Sequence, residues 1–278
     1  MLKTFSHDGL RLAFLDHVEP GAHATPVLLI HGFASSIATN WVNTAWVKAL
    51  VGAGYRVIAI ENRGHGASDK PHDAALYATP LMAEDARALL DHLGITRAFV
   101  MGYSMGARIS AFLALAHPNR VAALALGGLG IHLVEGVGLP LGIAEALETA
   151  DPSSITDATQ KMFRLFAEAN KGDLTALAAC IRGSRQVLTR EEIGQLAMPV
   201  LVSVGTDDPI AGAPQPLAAL MPQARAFSIP GRDHNRAVGD KTHIAAVLRF
   251  FEEEAFSSEV GTGSREEPKD RVSETAIK

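Results

Sequence analysis

Several things are scarce in this chain of 278 residues. Cysteine occurs once, as Cys180, which excludes an internal disulfide framework and any metal site built from several thiolates. Basic charge is not in excess: 25 Lys and Arg stand against 30 Asp and Glu, a net charge of −5, so neither a nucleic-acid groove nor a polybasic membrane patch is expected. No apolar run approaches the roughly 18 residues of a membrane span. The first nine residues turn polar too soon to open a signal-peptide core. The expectation is a soluble, cytoplasmic protein that meets neither membrane nor nucleic acid. The charged fraction is only 20% against 47% hydrophobic, a balance that suits a packed core and excludes wholesale disorder.

What is present is alternation. Asp8-Gly9 between the runs 3–6 and 10–17 reads as a hairpin. Strands are then expected at 26–30, 56–60, 98–101 and 121–126, with helices at 43–53, 80–93 and 104–117. Strand and helix in turn predict an α/β fold with a mostly parallel sheet and helices on both faces. Between 126 and the next strand, 200–204, the pattern breaks. Residues 131–198 show helical spacing instead (Ile155, Thr159, Met162, Phe163, Phe166, then Leu174, Leu177, Ile181 after Asp173), which predicts a helical cap over one sheet edge. A helix at 216–221, a strand at 225–229 and a helix at 240–254 close a core made of 1–130 and 199–256. Residues 257–278 lose apolar periodicity and read as a flexible tail.

The strongest chemical signal is Gly102-Tyr103-Ser104-Met105-Gly106, set between an apolar strand and a helix. This is the G-x-S-x-G elbow, in which both glycines admit a turn sharp enough to lift the serine hydroxyl into reach of a base. A serine hydroxyl needs a histidine, and the histidine needs an acid. In chain order Ser, acid, His, two histidines remain. His243 falls among Val247 and Phe250 on a helix face and reads as structural. His234, in the loop after strand 225–229, reads as the base. Asp207 and Asp208, at the end of strand 200–204, both qualify as the acid on position alone. Asp233 is too close in sequence to His234 to face its ring. His31-Gly32-Phe33 follows the buried strand 26–30, so the N–H groups of Phe33 and Met105 are the expected oxyanion donors.

Taken together, these segments resemble the α/β-hydrolase fold family, in its esterase, haloperoxidase and carbon–carbon hydrolase group. The resemblance runs in order across residues 25–255, through His31-Gly32-Phe33, Glu61-Asn62-Arg63-Gly64-His65-Gly66-Ala67-Ser68, the elbow, Gly205-Thr206-Asp207-Asp208-Pro209 and Pro230-Gly231-Arg232-Asp233-His234. It implies Asp208 as the acid, three residues after the strand-ending Gly205, and a structural rather than catalytic role for the 61–71 segment and its His65. Glu61 departs from the family's Asp, and Ala107 from a second Gly. Ser104 where epoxide hydrolases and dehalogenases carry Asp points away from those enzymes. No metal, nucleotide or other cofactor is implied.

The resulting expectation is a carboxylesterase for short- to medium-chain esters, in which Ser104, His234 and Asp208 form the triad. Met162, Phe163 and Phe166 of the cap would wall the acyl pocket. One rival is a carbon–carbon hydrolase or enol-lactonase of aromatic degradation, whose anionic substrate would call on Arg164, Arg182 or Arg185. The other is a binding protein that keeps the fold without catalysis, against which a complete triad argues.

Overall fold

The computed structural model describes residues 1–18, 25–136 and 138–262. Eight strands form one sheet: β1 (Lys3–His7), β2 (Leu10–His17), β3 (Pro26–Ile30), β4 (Arg56–Ile60), β5 (Ala98–Tyr103), β6 (Val121–Gly127), β7 (Val200–Gly205) and β8 (Ala224–Ile229). Their spatial order is β1-β2-β4-β3-β5-β6-β7-β8. β2 runs antiparallel to both neighbours, and all pairs from β4 to β8 are parallel. Asp8 and Gly9 join β1 to β2 with φ of 50° and 73°, the pair of positive angles that a two-residue hairpin turn of matching twist requires.

The helices are α1 (Trp46–Gly52), α2 (Thr79–His92), α3 (Met105–Ala116), α4 (His132–Glu135), α5 (Gly142–Glu148), α6 (Ala158–Ala169), α7 (Leu174–Gly183), α8 (Arg190–Gly194), α9 (Pro214–Ala218) and α10 (Lys241–Thr262). Three depart from the expected bounds, the first being the helix expected at 216–221, which is α9 at Pro214–Ala218. The helix expected at 43–53 starts three residues later, because Ala45 takes a left-handed φ of 68° and separates α1 from a π-helical turn at Ala38–Val42. The last helix runs past 256 to Thr262, so the first six residues read as tail are helical. The rest of that stretch, 263–278, lies outside the described residues.

Period-two alternation splits the core into two layers. Leu28, Ile30, Ile58 and Val100 face α2, α3 and the 131–199 segment. Val27, Leu29, Val57, Phe99 and Met101 face α1 and α10, where Phe99 stacks on Phe251 at 4.9 Å. Both layers need apolar residues on every strand, which is why the central strands read as unbroken apolar runs. Among the described residues, 131–199 holds five α-helices, one 3-10 turn at Pro152–Ser154 and no strand. Asp173 caps α7 by accepting the Ala176 N–H, and Asp157 caps α6 by accepting that of Gln160. The carboxyl ends of β3, β5, β7 and β8 open on one edge of the sheet, where ligands gather in open parallel sheets.

Candidate active site

Ser104 joins β5 to α3 with φ 55° and ψ −115°, a region costly for any residue with a Cβ. The strain is held by close packing. A Cβ on Gly102 would overlap the Gly106 carbonyl, and one on Gly106 the Ile30 carbonyl, so the turn can close only with glycine at both places. The Ser104 N–H donates to Gly127 O at 2.8 Å, tying the elbow to the neighbouring strand.

His234 Nε2 lies 3.0 Å from Ser104 Oγ, and His234 Nδ1 lies 2.7 Å from Asp208 Oδ2. The Asp208 side chain is fully buried, and its other oxygen accepts the N–H groups of Ile210 (2.8 Å) and Ala211 (3.1 Å). A carboxylate can only accept, so the imidazole proton sits on Nδ1 and the bare Nε2 faces the serine. The loop is also held from below: Tyr103 Oη donates to His234 O at 2.6 Å. Asp207 points to solvent and takes the Thr206 hydroxyl at 3.0 Å. Asp233 turns back to accept the N–H groups of Asn235 and Arg236. His243 is buried against Trp46, donates Nδ1–H to Ala237 O, and is pushed down to about 4 by desolvation.

The loop after β3 shows which N–H groups are free. Gly32 donates to Asn40 Oδ1 (3.0 Å), Ala34 to His65 Nε2 (3.0 Å), Ser35 to Gly32 O (3.4 Å) and Ile37 to Glu61 Oε1 (3.2 Å). Phe33 N–H, between two of these, meets no acceptor among the described residues, and neither does Met105 N–H at the start of α3. Buried N–H groups rarely go unmet, and an unclaimed pair beside a serine can receive an anionic oxygen. His65 Nδ1 donates to Arg63 O at 3.0 Å, which leaves Nε2 bare for Ala34. Burial, with the nearby His31 adding to it, pushes His65 down to about 3. The 61–68 segment thus supports the loop after β3. The longer Glu61 fits because Gly66 leaves the space its carboxyl fills.

Two cavities meet at Ser104 and Phe33. The smaller, about 110 Å³, is lined by Thr39, Asn40, His234 and Asn235, with Phe163 and Phe166 of α6. The larger, about 380 Å³, runs along Met105, Arg108, Leu129, Leu139 and Ile181. Phe163 and Phe166 therefore wall the smaller space, and Met162, one step round the helix, lines neither cavity and instead meets the Asn235 amide at 3.5 Å. The three cap arginines are engaged elsewhere. Arg164 caps the end of α5 through the carbonyls of Ala146, Leu147 and Thr149, Arg182 pairs with Glu148, and Arg185 donates to Leu139 O. Among the described residues no three His, Cys, Asp or Glu side chains are grouped to hold a metal ion.

Three site residues escaped the sequence reading: Tyr103, Asn40 and Arg108. Tyr103 sits inside the elbow motif, and Arg108 lies four residues after the serine on an otherwise apolar helix face, a signal that was there to be read. Asn40 carries none, since its role depends on a π-helical turn. A family model described as the alpha/beta hydrolase fold matches residues 25–154. The chain is 29% identical over 209 residues to 3-oxoadipate enol-lactonase 2 of Acinetobacter baylyi, covering 70% of this chain and 76% of that protein. It is 30% identical over 212 residues to 2-hydroxy-6-oxononadienedioate/2-hydroxy-6-oxononatrienedioate hydrolase of Cupriavidus pinatubonensis, covering 68% and 73%. The crystal structure of the enol-lactonase from Burkholderia xenovorans superposes with a TM-score of 0.74 over 91% of this chain and all of that one, at 21% identity, a likeness of fold.

Proposed function

The chain belongs to the α/β-hydrolase fold family, and from that premise we propose that it is a serine carboxylic-ester hydrolase working through an acyl-enzyme. Ser104 Oγ attacks the ester carbonyl while His234 Nε2 takes its proton. The carbonyl oxygen, now anionic, is met by the N–H groups of Phe33 and Met105. When the tetrahedral centre collapses, the carbon–oxygen bond to the alcohol breaks and His234 returns the proton to the leaving oxygen. Water then attacks the acyl carbon with His234 again as base, releasing the carboxylic acid and restoring Ser104. Asp208 keeps the imidazole in the working tautomer and offsets its positive charge.

The observation that carries this reading is the unbroken sequence of contacts Asp208–His234–Ser104, ending on a serine held in strained backbone beside two unclaimed N–H groups. Small substrates with short to medium acyl chains suit a cavity beside the 131–198 helices; Phe163 and Phe166 share the smaller cavity with His234, the donor to the leaving alcohol, and so wall the alcohol side instead of the acyl pocket expected from the sequence. A second reading, enol-lactone or carbon–carbon bond hydrolysis, uses the same three residues, and the named activities of two relatives favour it. A panel of p-nitrophenyl esters, an enol-lactone and a dienone acid, assayed with wild type and Ser104→Ala, tests both. Turnover of esters lost in Ser104→Ala is expected. Faster turnover of the lactone or dienone acid moves the chain to the second reading, and no turnover of any member rejects hydrolysis.

A further inference from the structure

We infer that the larger cavity takes an acyl group ending in a carboxylate, and that Arg108 selects it. This rests on the hydrolase reading above, because it concerns the acid half of the same substrate.

Arg108 leaves α3 one turn after Ser104 and lies in the wall of the larger cavity, only 5% exposed. Its guanidinium is fixed: Nη1 donates to Leu133 O (3.2 Å) and Gln186 O (3.3 Å), Nη2 to His132 O (3.0 Å) and Gly136 O (2.9 Å). These bonds hold the group in place and leave its Nε–H without an acceptor among the described residues, but they do not remove its charge. No acid among the described residues pairs with it. The other buried guanidiniums are matched, Arg63 by Asp85 at 2.7 Å and Arg164 by Glu168 at 2.7 Å. Among the described residues no Asp or Glu lines the cavity, and His132 is the other ionisable residue in its wall. Burial, with the nearby positive charge of Arg185 adding to it, pushes Arg108 down to about 10.

An unpaired buried charge is costly, and perturbed charged groups lining a cavity cluster at functional sites. A carboxylate entering along the apolar wall of Leu129, Leu139 and Ile181 would supply the missing partner through a charge-assisted hydrogen bond. Geometry sets the order of the groups. The scissile carbonyl must sit at Ser104, and His234, which returns its proton to the leaving alcohol, lines the smaller cavity and not the larger, so the larger one is left for the acyl chain and the anion lies at its far end, beyond an apolar spacer.

The test compares mono-p-nitrophenyl adipate with p-nitrophenyl hexanoate, equal in carbon count and differing in the terminal carboxylate. Wild type is expected to prefer the anionic ester in kcat/KM by about 10-fold or more, the value of one hydrogen bond to a charged group. Arg108→Gln is expected to bring the ratio to about one. Both esters are read on one preparation, so the ratio does not depend on how much of the variant folds. Equal or reversed preference in wild type overturns the inference, as does an undiminished ratio in Arg108→Gln. If neither ester turns over, ester hydrolysis fails, and calorimetric titration with monomethyl adipate against methyl hexanoate still decides: tighter binding of the anion sustains the inference, and equal binding overturns it.

Discussion

Replacing His65 probes how the oxyanion site is built. The imidazole is 2% exposed and has two polar partners, the Ala34 N–H and the Arg63 carbonyl. His65→Ala orphans both, at about 1–3 kcal/mol each, and adds a cavity, so a stability loss of about 3–5 kcal/mol is expected. The catalytic effect has an upper bound, because removing one oxyanion donor outright costs about 10²- to 10³-fold in kcat. Here Phe33 N–H is loosened rather than removed, since Gly32 stays on Asn40 and Ile37 on Glu61. A fall of about 10- to 30-fold in kcat with little change in KM is the expected outcome. His65→Gln can present an oxygen to Ala34 and an N–H to Arg63, so it should recover most of the loss. The assay measures kcat and KM per folded molecule, with folded fraction from circular dichroism. Inhibition by a trifluoromethyl ketone, which forms a tetrahedral adduct on serine, is measured beside inhibition by a plain ketone. Affinity for the first should fall with kcat and affinity for the second should hold. Unchanged kcat in folded His65→Ala, or equal loss of both inhibitors, would refute the reasoning.

Asp208→Asn should lower kcat by about 10²- to 10⁴-fold, because an amide can hold His234 in the wrong tautomer, whereas Asp207→Asn should stay close to wild type; steady-state kinetics of the two variants decide, and a severe defect confined to Asp207→Asn reverses the roles. Ser104→Gly should be more stable than Ser104→Ala by about 1 kcal/mol in urea unfolding, although glycine is ordinarily the weaker residue, because a φ of 55° strains only the variant with a Cβ. Acid should destabilise the fold early. His65 at about 3 and His243 at about 4 lie below the ordinary 6.5, so the unfolded chain binds more protons in between. Their contribution is whole above 6.5 and falls with pH toward 4, by up to about 1.4 kcal/mol per pH unit for each histidine. Urea midpoints at pH 7.5, 6 and 5 should drop in that order, and a flat series would contradict the burial of two neutral imidazoles.

The parts of this molecule that local chemistry dictates could be read from the chain. The elbow declares itself because its turn admits only glycine at 102 and 106, on either side of the serine, and His234 follows from chain order. The strands that flank them are apolar on both sheet faces and so read as continuous runs. Asp208 over Asp207 was different, since adjacent carboxylates are equivalent in a sequence. The fold separates them by giving one two backbone N–H partners and a ring, and the other water. Met162 and Phe163 were equivalent for a similar reason. Helical spacing identifies an inward stripe, but one step of rotation decides which neighbour faces a cavity. The cap arginines illustrate the remaining limit, because a guanidinium has five donors and carbonyl partners are invisible in sequence. Arg108, beneath the serine, is buried with carbonyl partners and no acid partner among the described residues.

The central claim is that Ser104, activated by His234, becomes covalently bonded during turnover. Intact-mass spectrometry after exposure to a fluorophosphonate measures this directly. Wild type should gain one phosphonyl adduct that peptide mapping assigns to Ser104. Ser104→Ala should gain none, and His234→Ala should react at least about 10²-fold more slowly. An unmodified wild type, or an adduct formed equally well by Ser104→Ala, would contradict the account.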